Sequence, residues 1–353
     1  MKQQIDLSPE IVAPLLAWYR VHRRPLPWRE NKDPYRIWLS EIMLQQTRIE
    51  AVIPYFHRFL GEAPTVAALA ELDDERLMKL WEGLGYYSRA RNLKKAAIAV
   101  VDQHGGALPA DFDSLRKLSG IGDYTAGAIA SIAFGLPTPA VDGNVLRVIM
   151  RLTGREDDIA LPQTKKDVTE ALRAIYPSGI CAGELTEGLM ELGEHICLPN
   201  GVPKCEACPW RELCVANRDG RQTDLPKKSP KKEKRVEDYT ILLLIADGKL
   251  ALQKRPDEGL LAGLWELPSL SGVHSAAQVT AFLREQGLSP RSVQESISAK
   301  HIFTHVVWQM RGMVARFDAP FGDFLWVSPS ELADTVALPT AFRAYRKEFL
   351  RTQ

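Results

Sequence analysis

The chain has 353 residues, 45% of them hydrophobic and 25% charged, with 45 Lys and Arg set against 44 Asp and Glu. That length accommodates two domains with a core each, and that composition excludes a collagen-like or wholly disordered chain. A formal charge of +1 neither favours nor excludes nucleic acid, because recognition depends on where charges sit rather than on their sum.

From the N-terminus, MKQQIDLSPEIVAPLL lacks the basic-then-apolar order of a secretion signal, and the apolar run ILLLIA (241–246) is strand-sized rather than membrane-sized. The sequence therefore predicts a cytoplasmic protein with no membrane partner, in a compartment where disulfides are rare and clustered thiols mean metal. Residues 7–220 read as mostly helical, with apolar positions at helical period in DERLMKLWEGLG and DSLRKL broken by Pro and Gly. In RIWLSEIMLQQT, Glu41 shares a helix face with Trp38, Ile42 and Gln45. LSGIGDYTAGAIASIAF (118–134) follows a short helix and opens another. Its Gly120 and Gly122 permit a tight turn that leaves backbone N–H groups free at a helix N-terminus, a grip for one phosphate, usually with a bound monovalent cation. This reads as a helix–hairpin–helix, a DNA grip without sequence preference. PAVDGNVLRV places Asp142 at the start of the next helix, as a capping carboxylate or a catalytic one.

Four of the five cysteines fall within residues 197–214, as Cys197-x7-Cys205-x2-Cys208-x5-Cys214. Such thiolates bind zinc or a [4Fe–4S] cluster, and a single tight pair with loose arms favours iron–sulfur over the two tight pairs usual for zinc. Cys181 lies on an apolar stretch and reads as core, whereas Lys204, Arg211 and Arg218 fall on loops suited to backbone phosphates. RQTDLPKKSPKKEKR is polar, basic and proline-punctuated, a solvated linker. Beyond it YTILLLIADGKLALQKR predicts two strands around an Asp247-Gly248 turn. HIFTHVVWQMRGMVARF and DFLWV continue the β character, with helices over 275–287 and 340–350. The expected domains are 1–220, a basic linker 221–236, and an α+β domain 237–353.

Chemically, Glu41 and Asp142 are the informative pair. An acid on a partly apolar helix face is either solvent-facing and without special role, or desolvated, which raises its pKa and keeps it protonated as a general acid near neutrality. One raised acid and one ionised carboxylate can break a glycosidic bond, protonating the leaving group and stabilising the oxocarbenium ion. Sequence spacing does not show whether the two meet.

Together EIMLQQT, LSGIGDYTAGAIASIAFG, VDGNVLRV and the cysteine cluster resemble the endonuclease III superfamily of helix–hairpin–helix DNA glycosylases, and within it the adenine-excising branch. The resemblance runs over nearly the whole chain. It implies a two-lobed, mostly α glycosylase domain with a [4Fe–4S] loop held by Cys197, Cys205, Cys208 and Cys214. A Nudix-like α+β domain would follow it. The implied substrate is an adenine mispaired with 8-oxoguanine or guanine in double-stranded DNA, flipped out and cut from its sugar by a monomeric, nucleoid-associated enzyme of base excision repair. Glu41 then matches the acid that protonates adenine and later helps position water. Asp142 matches the carboxylate that stabilises or traps the sugar cation, with Asn144 as its hydrogen-bonding neighbour. Tyr124 stands where bifunctional relatives carry a Schiff-base lysine, and tyrosine cannot form that imine. Arg24, Leu26, Trp28, Arg29 and Glu187 resemble the adenine-pocket wall. Gln46, Thr47, Leu84 and Tyr86 resemble the wedge that fills the emptied base stack.

GLWELP (263–268) resembles the opening of a Nudix fold, but FLREQGL stands where Nudix hydrolases carry an acidic metal-binding run, so pyrophosphate hydrolysis is not expected. The resemblance makes Phe303, Thr304 and His305 the 8-oxoguanine-recognition loop. Thr304 replaces the serine most relatives carry, and the first cysteine gap is one residue longer than in most. Two rival functions remain open at this stage: a bifunctional glycosylase-lyase, against which Tyr124 speaks, and a non-catalytic damage-binding protein, which has no need of Glu41 and Asp142.

Overall fold

The computed structural model describes residues 5–230 and 233–351; Lys231 and Lys232 of the basic linker, with the first four residues of MKQQIDLS, lie outside the described residues. The chain folds as two compact units, the first made of residues 1–71 and 91–230 and the second of residues 72–90 and 231–353.

The first unit is helical, as its 3.6-residue apolar period predicts. Its helices are α1 (Val12–His22), α2 (Pro34–Leu44), α3 (Ile49–Glu62) and α4 (Val66–Glu71), then, past α5 (Asp74–Trp81), most of α6 (Ser88–His104). After these come α7 (Phe112–Lys117), α8 (Asp123–Phe134), α9 (Gly143–Thr153), α10 (Pro162–Ile175), α11 (Ile180–His195) and the short α12 (Val215–Arg218). Asp33 caps α2 by accepting the Arg36 N–H at 2.9 Å, Asp111 caps α7, and a left-handed Gly135 closes α8. One core cluster runs from Leu15 and Leu16 of α1 through Val145, Ile149 and Met150 of α9 to Leu185, Leu189 and Leu192 of α11.

α8 is apolar almost all round and is buried accordingly. Its small residues let chain approach chain: a Cβ on Gly127 would stand 2.3 Å from the Pro139 carbonyl oxygen. The segment that delivers Val141 and Asp142 thereby lies directly on the helix that carries Tyr124.

The segment 72–90, expected in the first domain, groups instead with the C-terminal unit. The reason is a set of hydrogen bonds that no local pattern announces. Lys79 Nζ donates to the carbonyls of Leu332 (3.2 Å) and Val336 (3.1 Å), and Glu82 Oε1 accepts from the Leu338 N–H (3.1 Å) and Arg346 Nη1 (3.0 Å).

The second unit is built on one sheet. Its strands are β1 (Arg235–Ala246), β2 (Lys249–Lys254), β3 (Trp265–Glu266), β4 (Ser269–Ser271), β5 (Ser292–Ile302), β6 (Val306–Phe317) and β7 (Leu325–Val327). Order runs β3-β2-β1-β6-β5, with β4 on β1 and β7 on β2. β1 and β6 are parallel over the full length of both, from Arg235 opposite Val306 to Ala246 opposite Phe317. The turn between β1 and β2 is the expected one, with φ of 48° at Asp247 and 68° at Gly248, the left-handed pair a two-residue hairpin demands. ILLLIA is continuous because both faces of β1 are buried. Ile241, Leu243 and Ile245 pack with Phe342, Tyr345 and Phe349, while Leu242, Leu244 and Ala246 pack with Val279 and Leu283. These partners come from α15 (Arg343–Arg351) and the turn before it, and from α13 (Ala276–Glu285); α14 (Pro329–Asp334) follows β7.

The polar stretch 221–230 is held on the first unit rather than running free. Leu225 is buried and its carbonyl accepts from Arg151 Nε at 2.7 Å, Lys227 O accepts the Ile159 N–H at 3.1 Å, and Ser229 hydrogen-bonds Asp158.

The Gly127 approach gives a test. Gly127→Ala should lower stability by about 1–3 kcal/mol, the range for overpacking a close-packed interior. Denaturant unfolding measures it, and Gly143→Ala, where an added Cβ meets nothing within 4 Å, is the control.

Candidate active site

A cavity of about 190 Å³ opens within the first unit, lined by residues from α2, α8, α9, α11 and the loop that follows α1. Glu41, Tyr124, Asp142, Asn144, Arg24, Leu26, Trp28, Arg29, Thr47 and Glu187 all line it. Residues up to 163 positions apart in the sequence (Arg24 to Glu187) are thus brought to one space. Ser40, Met190 and Glu194 line it too. Sequence reasoning missed them, although Met190 and Glu194 lie one and two helical turns beyond Glu187.

Glu41 is 6% exposed. Burial is the main cause that lifts its carboxyl to a pKa of about 7; a hydrogen bond from Tyr124 opposes the rise, the charges of Asp142 and Glu187 add to it, and Arg29 opposes it. Asp142 is half-buried, and desolvation pushes its pKa up as well. It has backbone and amide donors of its own: the Val145 N–H reaches Oδ1 at 2.8 Å and Asn144 Nδ2 reaches Oδ2 at 3.1 Å, and both act to lower its pKa. The capping reading of Asp142 is realised, and the same side chain stands at the cavity. Tyr124, half-buried beside both carboxylates, has its hydroxyl pKa driven well above the usual value by desolvation and by the charge of Glu41, so it is a neutral donor. Its hydroxyl also lies 3.9 Å from Met190 Sδ.

The cavity wall is a ladder of alternating charge between α11 and the N-terminal segment. Arg29 Nε pairs with Glu187 Oε1 at 2.9 Å while its Nη1 pairs with Glu191, and Arg24 Nε contacts Glu191 Oε2 at 3.0 Å while its Nη2 meets Glu194 at 2.5 Å. Tyr19 donates to Glu187 Oε2 at 2.8 Å, and the Arg29 guanidinium lies 5.8 Å from the Tyr19 ring centre. The ladder follows from spacing: Glu184, Glu187, Glu191 and Glu194 repeat at three and four residues on one face of α11.

Cys197, Cys205, Cys208 and Cys214 line one small cavity together with Arg151, and none is in a disulfide. Burial raises the thiol pKa of Cys205 and Cys214, and takes that of Cys208 to about 12. Among the described residues, no three His, Cys, Asp or Glu side chains converge as ligands of a single metal ion. Trp210, buried between Cys208 and Cys214, donates its Nε1–H to the Ile11 carbonyl at 2.8 Å and pins the loop to the start of α1. Arg151 Nη1 contacts Cys197 Sγ at 3.3 Å, and Arg147 donates to the Cys197 carbonyl (2.9 Å) and to Asn144 Oδ1 (3.0 Å). Cys181 packs half-buried against the core, as expected. Arg211 and Arg218, read as phosphate-facing, pair with neighbouring acids: Arg211 with Glu206 and Glu212, Arg218 with Asp219.

The glycine turn falls where expected, between α7 and α8. Gly120 has φ of 77° and its missing Cβ would stand 2.8 Å from the Cβ of Asn92, while Gly122 opens α8 as its N-cap without a side-chain cap. Gln46 and Tyr86 are non-glycine residues in left-handed conformation, φ 58° and 46°, a cost that recurs at functional positions. In the second unit Tyr86 OH lies 3.1 Å from Thr304 Oγ1. Arg89 Nη2 donates to the Leu84 (3.0 Å) and Gly85 (3.3 Å) carbonyls and fixes that loop. Phe303 is half-buried, edge-on to Trp308 at 4.9 Å, and Thr304 and His305 are exposed.

Comparison with known proteins finds matches for both units of the chain. A family model described as HhH-GPD superfamily base excision DNA repair protein matches residues 39–178, and a NUDIX domain model matches residues 240–348. The human adenine DNA glycosylase is 32% identical over an alignment covering 94% of this chain and 73% of that protein. The Arabidopsis thaliana adenine DNA glycosylase is 35% identical over 83% of this chain, which spans 55% of that longer relative. Among solved structures, a thermostable thymine-DNA glycosylase is 30% identical with a TM-score of 0.54 over 60% of this chain and 96% of its own. Endonuclease III bound non-covalently to DNA is 25% identical, with a TM-score of 0.51 over 61% of this chain and 98% of its own.

The protonation of Glu41 can be read directly. The infrared band of a protonated carboxyl should fade as pH rises through about 7, and Glu41→Gln should lack that titration.

Proposed function

The chain belongs to the adenine DNA glycosylase family, and we propose that it removes adenine mispaired with 8-oxoguanine or guanine in duplex DNA, hydrolysing the N-glycosidic bond without cutting the strand. The observation that carries this reading is the meeting of Glu41, Tyr124 and Asp142 in one buried cavity. Glu41 holds a proton near neutrality and donates it to the leaving base. As the bond breaks, positive charge builds on the sugar, and the Asp142 carboxylate, whose charged form the Val145 N–H and Asn144 favour, stabilises it. Water completes hydrolysis, with the emptied Glu41 carboxylate able to take its proton. Tyr124 offers no amine, so no imine forms with the sugar and the abasic strand is left whole. Arg24, Leu26, Trp28, Arg29 and Glu187 form the wall against the extruded base.

Gly120 and Gly122 would grip the DNA backbone through the α8 N-terminus, and Gln46, Thr47, Leu84 and Tyr86 would fill the emptied stack. Thr304 and Tyr86, in hydrogen-bond contact, would read the 8-oxoguanine with Phe303 and His305. Cys197, Cys205, Cys208 and Cys214 would hold a [4Fe–4S] cluster: an all-sulfur donor set around one cavity suits it. When bound, it supplies a cross-link between the end of α11 and the loop before α12, and no chemical step.

Purified protein should release free adenine from a duplex with A opposite 8-oxoguanine and leave an intact strand until alkali is added. Strand nicking through a borohydride-trapped imine would instead identify a glycosylase-lyase. Asp142→Asn should keep DNA affinity and lose excision by several orders of magnitude, as is typical of a charge-stabilising group; single-turnover rates decide it. The protein should be yellow-brown, and Cys208→Ala should weaken or remove the colour.

A further inference from the structure

Glu191 is the most deeply buried carboxylate in the cavity region, 1% exposed, yet it does not line the cavity. An isolated buried carboxylate is costly, and this one is matched by two arginines, with a histidine beside it. Arg24 Nε reaches both of its oxygens (3.1 and 3.0 Å), Arg29 Nη1 pairs with Oε1, and His195 Nε2 lies 3.4 Å from Oε2. The two arginines are wall residues, and each grips a second wall residue with its other arm: Arg29 holds Glu187, Arg24 holds Glu194. Glu191 is thus the middle rung of the sequence Glu187–Arg29–Glu191–Arg24–Glu194, and the only one of the five outside the cavity lining.

Its chemistry also bears on Glu41. The groups facing Glu41 are Tyr124 from α8, Asp142 from the α9 cap, Glu187 from α11 and Arg29 from the N-terminal segment, the last favouring loss of its proton. An Arg29 tied to two carboxylates exerts less net positive field on its surroundings than one tied to a single carboxylate.

Resting on the adenine-excision reading, we propose that Glu191 is a positioning residue for base removal: it holds Arg24 and Arg29 in the pocket wall and balances their charge so that the general acid keeps its proton. It touches neither base nor sugar and acts through the two arginines.

Glu191→Gln keeps the volume and removes the charge. Duplex affinity should change little, whereas the single-turnover excision rate should fall by about 10²-fold, the cost of a small misplacement at a reacting centre. The sign of the pH effect is fixed. With Glu191 neutral, Arg29 bears more strongly on Glu41, whose proton is lost at lower pH, so the alkaline limb of the rate profile moves to lower pH. A merely structural role would lower the melting temperature and leave that limb in place. Glu191→Asp, which keeps the charge and shortens the reach, should retain the limb and lose part of the rate. An excision rate and alkaline limb unchanged in Glu191→Gln would overturn the proposal. Should that variant not fold, a wild-type rate in Glu191→Asp would do the same. The infrared titration of Glu41 moves to lower pH in Glu191→Gln whether or not adenine is the substrate, so failure of this inference and failure of the adenine reading are distinguishable.

Discussion

Two carboxylates desolvated in one small cavity cannot both be ionised at little cost, and the first unit is arranged around deciding which keeps the proton. The decision is made by backbone. Asp142 stands at the N-cap of α9, where free N–H groups and the positive end of the helix dipole favour an anion. Glu41 sits in the last turn of α2, at the end where the dipole disfavours one. Burial raises both, and helix ends then separate them. Chain direction at two helix termini thus favours the proton on Glu41 and the charge on Asp142, the arrangement the proposed excision requires.

The neighbours refine that separation. Tyr124 is neutral and donates, so it can serve the Glu41 carboxylate without adding charge. A lysine at the same place would bring a cation into contact with both acids and would pull down the pKa of the one that must stay protonated. A tyrosine there carries no amine that could form an imine, and it adds no positive charge that would draw the proton off Glu41. The charge ladder along α11 works to the same end. It lets two guanidinium groups line the cavity as rigid forks while their charge is answered from behind. On the proposed reading, in which the cavity hosts a base becoming cationic, unanswered positive charge there would gain little.

Much of this was legible in the sequence, and the parts that were not share a cause. Asp247-Gly248 announced its hairpin because a two-residue turn is a local demand, and ILLLIA announced a strand covered on both faces. The cysteines, the glycine turn and Glu41 were legible as types and spacings. What escaped was pairing over distance. Glu82 reads as an ordinary helix-end acid, yet it accepts from Leu338 and Arg346 and ties the stretch 72–90 to the C-terminal unit. Leu225 sits in a run whose composition reads as solvated tether, yet it is buried and its carbonyl is taken by Arg151. Glu191 reads as one more acid on a helix rich in them. Its burial depends on Arg24 and Arg29 arriving from 167 and 162 residues away, which no local period encodes.

The cysteine loop and the reacting centre are joined by a short chain of hydrogen bonds. Asp142 Oδ2 accepts from Asn144, Asn144 accepts from Arg147, and Arg147 also donates to the carbonyls of Gly193 and Cys197. Arg147 is buried, so a lost acceptor is not replaced by water at low cost. Gly193 is tight against the same group, since a Cβ there would stand 2.9 Å from the Cβ of Asn144. The end of α11, the first cysteine and the amide side chain that donates to Asp142 thus occupy one packed junction. Order in the cysteine loop fixes the Cys197 carbonyl, the carbonyl fixes Arg147, and Arg147 fixes the amide that donates to Asp142 Oδ2. The cysteine loop and the cavity carboxylate are thereby linked through geometry alone.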